Sequence, residues 1–172
     1  MLPGPAGQRT EWIACSAIIQ FVIKVDEICE GSTALAAEAL LLLRPRWRTT
    51  RELVTVIDTQ LRPAGYRLVG VFRDDIATSA VAVAGFREVT ALAWGHHLYV
   101  DDVSTLLAER GAGHADRLMT WLREEGQRLG CESLHLDSGV DADRAPAHRL
   151  YMRHKLRISA HHFQRDLQSR PS

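Results

Sequence analysis

The sequence predicts an α/β (α+β) fold built on one mixed sheet, and three observations carry that expectation. Segments rich in β-branched and alternating residues are interleaved with segments whose apolar residues recur at helical spacing. Gly and Pro clusters punctuate them. The length, 172 residues, suits a single domain.

Taken in order, Met1 to Gly7 is Pro/Gly-rich, so residues 1–10 are expected to form a disordered tail and 11–169 the domain. Ser16 to Asp26 reads as a strand through Ile18, Ile19, Phe21, Val22, Ile23 and Val25. Gly31-Ser32-Thr33 offers a cap to a helix over Ala34 to Leu43, which Arg44-Pro45 ends. Thr49-Thr50 caps a second helix, Arg51 to Leu61, with Leu53, Val54, Ile57 and Leu61 on one face and Pro63 to Gly65 as its stop. Tyr66 to Arg73 and Thr78 to Arg87 read as strands about an Asp74-Asp75 turn. A third run, from about Leu92 to Thr105, contains Trp94-Gly95, a bend or bulge before its main part. Leu106 to Glu109 is a short loop, and Asp116 to Leu129 a helix stopped by Gly130. Ser133 to Asp137 is a strand, Asp141 to Pro146 a polar loop, Ala147 to His154 a short helix, and Arg157 to Leu167 a closing strand.

Composition narrows the function. The chain is 46% hydrophobic and 24% charged, with 21 basic residues against 21 acidic ones and no net charge. Such a balance gives no diffuse positive field for nucleic acid or an anionic membrane. Cys15, Cys29 and Cys131 are scattered and odd in number, which points to no disulfide framework and a reduced, cytoplasmic setting. The apolar run Trp12 to Ile23 is broken by Ser16 and Gln20, too short to span a bilayer and without signal-peptide flanks.

The chemistry concentrates at Arg110-Gly111-Ala112-Gly113-His114-Ala115, a turn between a strand and a helix. Unpaired N–H groups of a first helical turn, aided by the helix dipole, attract anionic phosphate. Glycines at 111 and 113 permit close backbone approach, Ala115 keeps the helix tight on the sheet, and Arg110 adds a cation. The alternative is a Gly-rich helix entry that only packs well. Two glycines in the second half of the chain do not make a Rossmann fingerprint, and the Gly-Lys-Ser/Thr of a P-loop is missing.

Asp101-Asp102, inside an otherwise apolar strand, is the sharpest local anomaly. Neighbouring strand residues point to opposite faces, so at least one carboxylate faces the packed or cleft side unless a bulge intervenes. One reading is a negative pocket for a cationic amine, with one Asp relaying its proton; the other is that one Asp salt-bridges an Arg or Lys and its neighbour is solvated. His96-His97 and His161-His162 are adjacent pairs that diverge on a strand, so no metal site is expected. His97, His161 or His162 is a candidate auxiliary base. Arg44, Arg46 and Arg48 surround Trp47, either to clamp a substrate or to solvate a helix end.

Two ordered motifs give the chain its resemblance, which covers about residues 16–167. Arg110, Gly113 and Ala115 match Arg/Gln-x-x-Gly-x-Gly/Ala, and Ala147, Leu150 and Tyr151 match Asn-x-x-Ala-x-x-Leu/Phe-Tyr-x-x-x-Gly-Phe. Arg144, Lys155 and Leu156 replace the Asn, Gly and Phe of the second. In this the chain resembles the GNAT superfamily of acetyl-CoA-dependent N-acetyltransferases. That resemblance implies a mostly antiparallel sheet of about six or seven strands, flanked by about four helices, with splayed strands forming a coenzyme A cleft. It also implies diphosphate binding by residues 110–115 and backbone pairing of Val103, Ser104 and Thr105 with the pantetheine arm. Tyr151 becomes the general acid for the leaving thiolate, or else a half-buried packing residue. Trp94-Gly95 followed by Leu-Tyr-Val-Asp-Asp further resembles polyamine and related small-amine acetyltransferases, which carry Glu-Asp there. The function so implied is transfer of acetyl from acetyl-CoA to a primary amine, on a small molecule or a peptide, by direct attack in a ternary complex. A non-catalytic acyl-CoA-binding module of the same fold is the alternative. Acetyl-CoA is the cosubstrate, no metal is implied, and a homodimer is compatible with the family.

Overall fold

Residues 22–73 and 78–167 are described by the computed structural model; the expected tail, the start of the first strand and the Asp74-Asp75 turn lie outside them. The edge strand β1 is Lys24–Ile28. A 3-10 turn at Thr33–Ala36 leads into helix α1, Ala37–Leu43. Helix α2, Thr50–Val56, continues as a wider π turn at Ile57–Leu61. Strands β2 (Tyr66–Phe72), β3 (Ala82–Ala91) and β4 (Gly95–Thr105) follow. Helix α3, His114–Arg128, crosses over to β5, Ser133–Leu136, and α4, Ala145–Arg153, comes last.

The sheet runs β1-β2-β3-β4-β5. Its first three pairings are antiparallel and β4·β5 is parallel. Parallel neighbours need a crossover long enough to return the chain, and α3 supplies it. Helices cover both faces. Val69, Val71, Ala84, Phe86, Leu98 and Val100 pack against Leu118, Met119 and Leu122 of α3 and Leu150 of α4. Leu68 and Val83 turn to the opposite face, toward Ala36, Ala39, Leu40, Leu53 and Ile57. Strand alternation thus feeds two cores from one sheet.

Several expectations need correction. Among the described residues the sheet has five strands, and Arg157 to Leu167, expected to be a strand, forms none. Its large apolar residues Ile158, Phe163 and Leu167 are all exposed. Their spacing, 158 against 163 and 167, would scatter them over both faces of a strand, so pairing there buries little. Strand β3 starts at residue 82 rather than 78, since the Ala80 amide donates to Leu35 O in the 3-10 turn at 2.8 Å. Ser32 makes no side-chain cap; the Thr33 hydroxyl instead donates to Asp58 at 2.6 Å. Thr49 does cap α2, accepting from the Glu52 amide at 3.1 Å. Leu61, expected on the apolar face of that helix, is exposed.

The irregularity expected at Trp94-Gly95 is a tight turn, with Gly95 opening β4. The bulge lies further on: Gly85 pairs with Asp102 and Phe86 with Val100, leaving Asp101 as the extra residue. This insertion resets the alternation at the two acids.

Candidate active site

The parallel pairing of β4 with β5 stops at Val100 and Leu136. Strand β4 runs on to Thr105, bonded to β3 through Asp102, Val103, Ser104 and Thr105. On the other side those four residues have no strand partner among the described residues. The result is a splay with an open backbone edge, the geometry that accepts an extended amide chain. Ser104 is fixed from its side chain, whose hydroxyl donates to Ala39 O at 2.5 Å. Val103 packs against the core beneath α3.

Beyond Thr105 the chain makes a 3-10 turn, Leu107–Glu109, and Arg110 leaves it in extended conformation. Gly111 and Gly113 then take φ of +83° and +79°, left-handed values that L side chains rarely adopt. A Cβ built on either meets no atom within 4 Å, so these glycines border open space rather than tight packing. No side chain caps α3. Its first-turn acid, Asp116, is turned away to Arg153 and His154 at 2.9 and 3.0 Å. Burial alone would raise the Asp116 pKa; the hydrogen bonds from Arg153 and His154 outweigh it and lower it. The amides at the helix start are left for an outside acceptor. Arg110 is exposed with no ion pair among the described residues. His114 is buried, its Nε2 3.2 Å from Glu109 Oε2, and its Nδ1 has no partner. Arg73 holds the same Glu109 at 2.7 Å. The Arg73–Glu109–His114 chain pins the turn from below, a support that sequence reasoning missed because 41 positions separate its ends in the chain.

Tyr151 sits on α4, buried in the cluster that contains Val100 and is flanked by Val103 and Leu136. It thus lies on the α3 side of the sheet. Burial raises its phenol pKa, and Arg144 pulls in the opposite direction. Arg144, the residue in place of the family Asn, is therefore an electrostatic neighbour of the phenol. The Lys155 position also acquires a meaning. Lys155 adopts φ +64°, its amide donates to Met152 O and the Leu156 amide to Tyr151 O, which together make a Schellman cap at the end of α4. The family Gly is a backbone requirement that this chain meets with lysine.

Because of the bulge, Asp101 and Asp102 both reach the face opposite Tyr151. Asp101 is gripped by Arg87 through two bonds of 2.9 and 2.6 Å. Asp102 accepts from Arg44 Nε at 2.6 Å and from the Tyr66 hydroxyl at 2.7 Å. Both carboxylates are ion-paired, where the salt-bridge alternative left one of them solvated. Arg44 also donates to Asp101 O at 2.8 Å, which ties the loop after α1 to the bulge. Arg46 instead lies over the Trp47 ring, 5.2 Å from its centroid, and the Arg48 amide donates to Glu52 at 3.0 Å.

Tyr99, Asp137 and His135 extend this face. The Tyr99 hydroxyl donates to Asp137 Oδ2, and burial together with that carboxylate pushes the phenol up to about 12. His97 is buried, with Nδ1 3.1 Å from Gly95 O. His96 meets Glu88 at 2.7 Å, and His162 Nδ1 approaches Asp137 at 3.3 Å. Among the described residues no three His, Cys, Asp or Glu gather as metal ligands, and no helix is long and apolar enough to cross a membrane. Arg87, Tyr99 and Asp137 were not singled out from sequence; Tyr99, two positions before Asp101 in the anomalous strand, carried the available signal.

A splayed five-stranded sheet with a glycine cradle at its crossover helix defines an acyltransferase architecture. The sequence model of the Acetyltransferase (GNAT) family matches residues 34–155, and the chain belongs to that family. Among solved structures, a transcriptional regulator from Bacillus halodurans C-125 superposes with TM-score 0.70 at 19% identity, over 85% of this chain and 100% of that one. A Trypanosoma brucei acetyltransferase gives 0.67 at 21%, over 85% and 100%. Glucosamine-6-phosphate N-acetyltransferase from Arabidopsis thaliana gives 0.65 at 14%, over 86% and 99%. At these identities the likeness is one of fold. No curated protein sequence matches the chain.

Proposed function

We propose that this protein is an acetyl-CoA-dependent N-acetyltransferase that joins cosubstrate and a primary amine in one ternary complex. The observation that carries the reading is the continuity of an open β4 edge with an uncapped glycine turn at its end, and a buried phenol on the α3 side of the same sheet supports it. The donors fit the cosubstrate, since Gly111 and Gly113 border free space and the α3 amides lack a capping side chain. Acetyl-CoA supplies an activated acyl group on a thiol leaving group.

The chain's own residues supply position and charge. Amides of residues 111–115, with Arg110, hold the diphosphate. Val103 to Thr105 pair with the pantetheine amides as an added strand would. Tyr151, a phenol whose pKa burial raises further, donates its proton to the departing thiolate, and the proton that the nitrogen loses as the amide forms passes to solvent, from which the phenol is reprotonated. Asp101 and Asp102, each held by an arginine, act as fixed charges that set Arg87 and Arg44 rather than as proton carriers. Most of the acceleration then comes from orientation in a shared cleft.

The test follows thiol release from acetyl-CoA across an amine panel, beside calorimetry with coenzyme A. Cosubstrate binding plus thiol release with any amine supports the enzyme. Tight binding with no release across the panel supports the acyl-CoA-binding module instead. Absence of binding overturns both.

A further inference from the structure

A negative charge stands beside the turn to which the proposed cosubstrate would bring more of the same sign. Glu109 ends the 3-10 turn immediately before Arg110 and the two glycines. Its side chain is only 18% exposed. The hydrogen bond from Arg73 above all, against burial and with help from His114, holds its carboxyl below the usual range. Glu109 is therefore a full negative charge at neutral pH. By charge alone such a residue weakens an anion site, because like charges repel. Its position calls for another role.

That role follows from what the glycine turn lacks. Among the described residues no backbone hydrogen bond holds the amides of residues 111 to 113. A Cβ built on Gly111 or Gly113 meets nothing within 4 Å, so packing does not fix these positions either. Glycine has the most conformational freedom to lose, and two of them stand in this turn. Glu109 ties the entrance of the turn to its exit instead. Its Oε1 accepts from Arg73, the residue directly after β2, at 2.7 Å. Its Oε2 lies 3.2 Å from Nε2 of His114, the first residue of α3. An ionised carboxylate only accepts, so Nε2 carries the hydrogen of this bond. The His114 ring is buried and its Nδ1 has no partner. A buried acceptor left unpaired costs stability. Leucine would serve better at 114 if packing were the only task there.

We infer that Glu109 and His114 are positioning residues for the cosubstrate: their bond closes the glycine turn into the shape that grips a diphosphate, and Arg73 ties that shape to the sheet. The ordering entropy of residues 110–113 is then lost on folding rather than on binding, which is the advantage of preorganisation. Both side chains act through the backbone between them. The inference rests on the acetyl-CoA reading for its ligand.

The experiment is calorimetry of coenzyme A on the full chain, with melting temperature followed in parallel. A lone charge and a clamp predict opposite signs for Glu109→Gln. The neutral amide cannot accept from both partners at once, so the clamp predicts affinity weaker by about tenfold or more. His114→Leu removes the bond together with the unpaired Nδ1, so its melting temperature should hold while affinity falls equally. His114→Gln returns an N–H donor at similar reach and should restore affinity. Glu109→Gln combined with His114→Leu should lose no more than the weaker-binding single variant, because one bond is broken only once. Should Glu109→Gln fail to fold, the His114 pair decides alone. Melting temperatures that fall while affinity holds make the contact purely structural and overturn the inference. Tighter binding by Glu109→Gln overturns it in favour of plain repulsion. In both cases wild-type binding stands, and the acyltransferase reading with it. A wild type that binds no coenzyme A removes that reading and the inference together.

Discussion

The hydroxyl of Tyr66 occupies the space that a side chain at Gly85 would fill. A Cβ built on Gly85 falls 1.8 Å from that oxygen, and the same oxygen donates to Asp102 at 2.7 Å. Gly85 pairs across the bulge with Asp102, so one missing side chain lets a buried phenol reach a strand carboxylate. Gly85→Ala therefore expels the phenol and leaves Asp102 with Arg44 alone. It should destabilise the fold by about 2–4 kcal/mol, read as a fall in Tm of about 5–15 °C for a chain of this size. An unchanged melting temperature would show that the ring has another place to go.

Tyr151→Phe keeps the packing of α4 and removes the O–H. Its kcat should fall about ten- to a thousandfold with little change in coenzyme A affinity. In the wild type, activity should decline only at pH above the ordinary phenol range, because burial raises the group. Arg144→Ala should move that limb higher still, since Arg144 lowers the same pKa. Steady-state kinetics against pH reads both.

Gly113→Glu puts bulk and negative charge into a left-handed turn that faces open space. Coenzyme A binding should disappear in calorimetry while the circular dichroism of the sheet remains. Retained affinity would remove the diphosphate assignment from residues 110–115.

Glu125 lies on the sheet side of α3, paired with Arg128 at 2.7 Å and with Arg67 at 2.7 Å. Arg128 most strongly, against the opposing effect of burial, holds its carboxyl down at about 2. A carboxyl depressed in the folded state stabilises fully above its unfolded value near 4.5 and loses that contribution as pH falls toward 2. The wild-type Tm should thus drop across pH 4.5 to 2, and Glu125→Gln should flatten that part of the curve. At neutral pH the variant should cost about 2 kcal/mol.

Lys155→Gly restores the residue that suits a left-handed cap. Relief of about 1–2 kcal/mol at φ +64° exceeds the extra chain entropy of glycine, roughly 0.5–1 kcal/mol. A small rise in Tm, with kcat unaltered, is the expected result. A fall would mean that the lysine stem packs where the backbone strain is stored.

The periodic elements were legible because they depend on local chemistry. Leu118, Met119 and Leu122 announce the buried face of α3, and the Thr49 cap announces α2. The glycine turn at 110–115 and the helix around 147–151 were legible for the same reason, since each is a contiguous pattern. Arg157 to Leu167 misled because β-branched and aromatic residues there resemble a strand, while no apolar face results.

What the sequence determined by itself, then, was the order of the strands and helices from β1 to α4 and the two local motifs that carry the family resemblance. Tertiary structure decided the meaning of the acids. Asp101 and Asp102 share a face only because β4 carries one residue more than β3 between Gly85 and Phe86, and a pairing register is a property of two strands at once. It decided likewise that Arg87, Arg44 and Tyr66 occupy those carboxylates. Partners 14 to 58 positions apart leave no local pattern, because charge and hydrogen bonding depend on distance in space rather than distance along the chain.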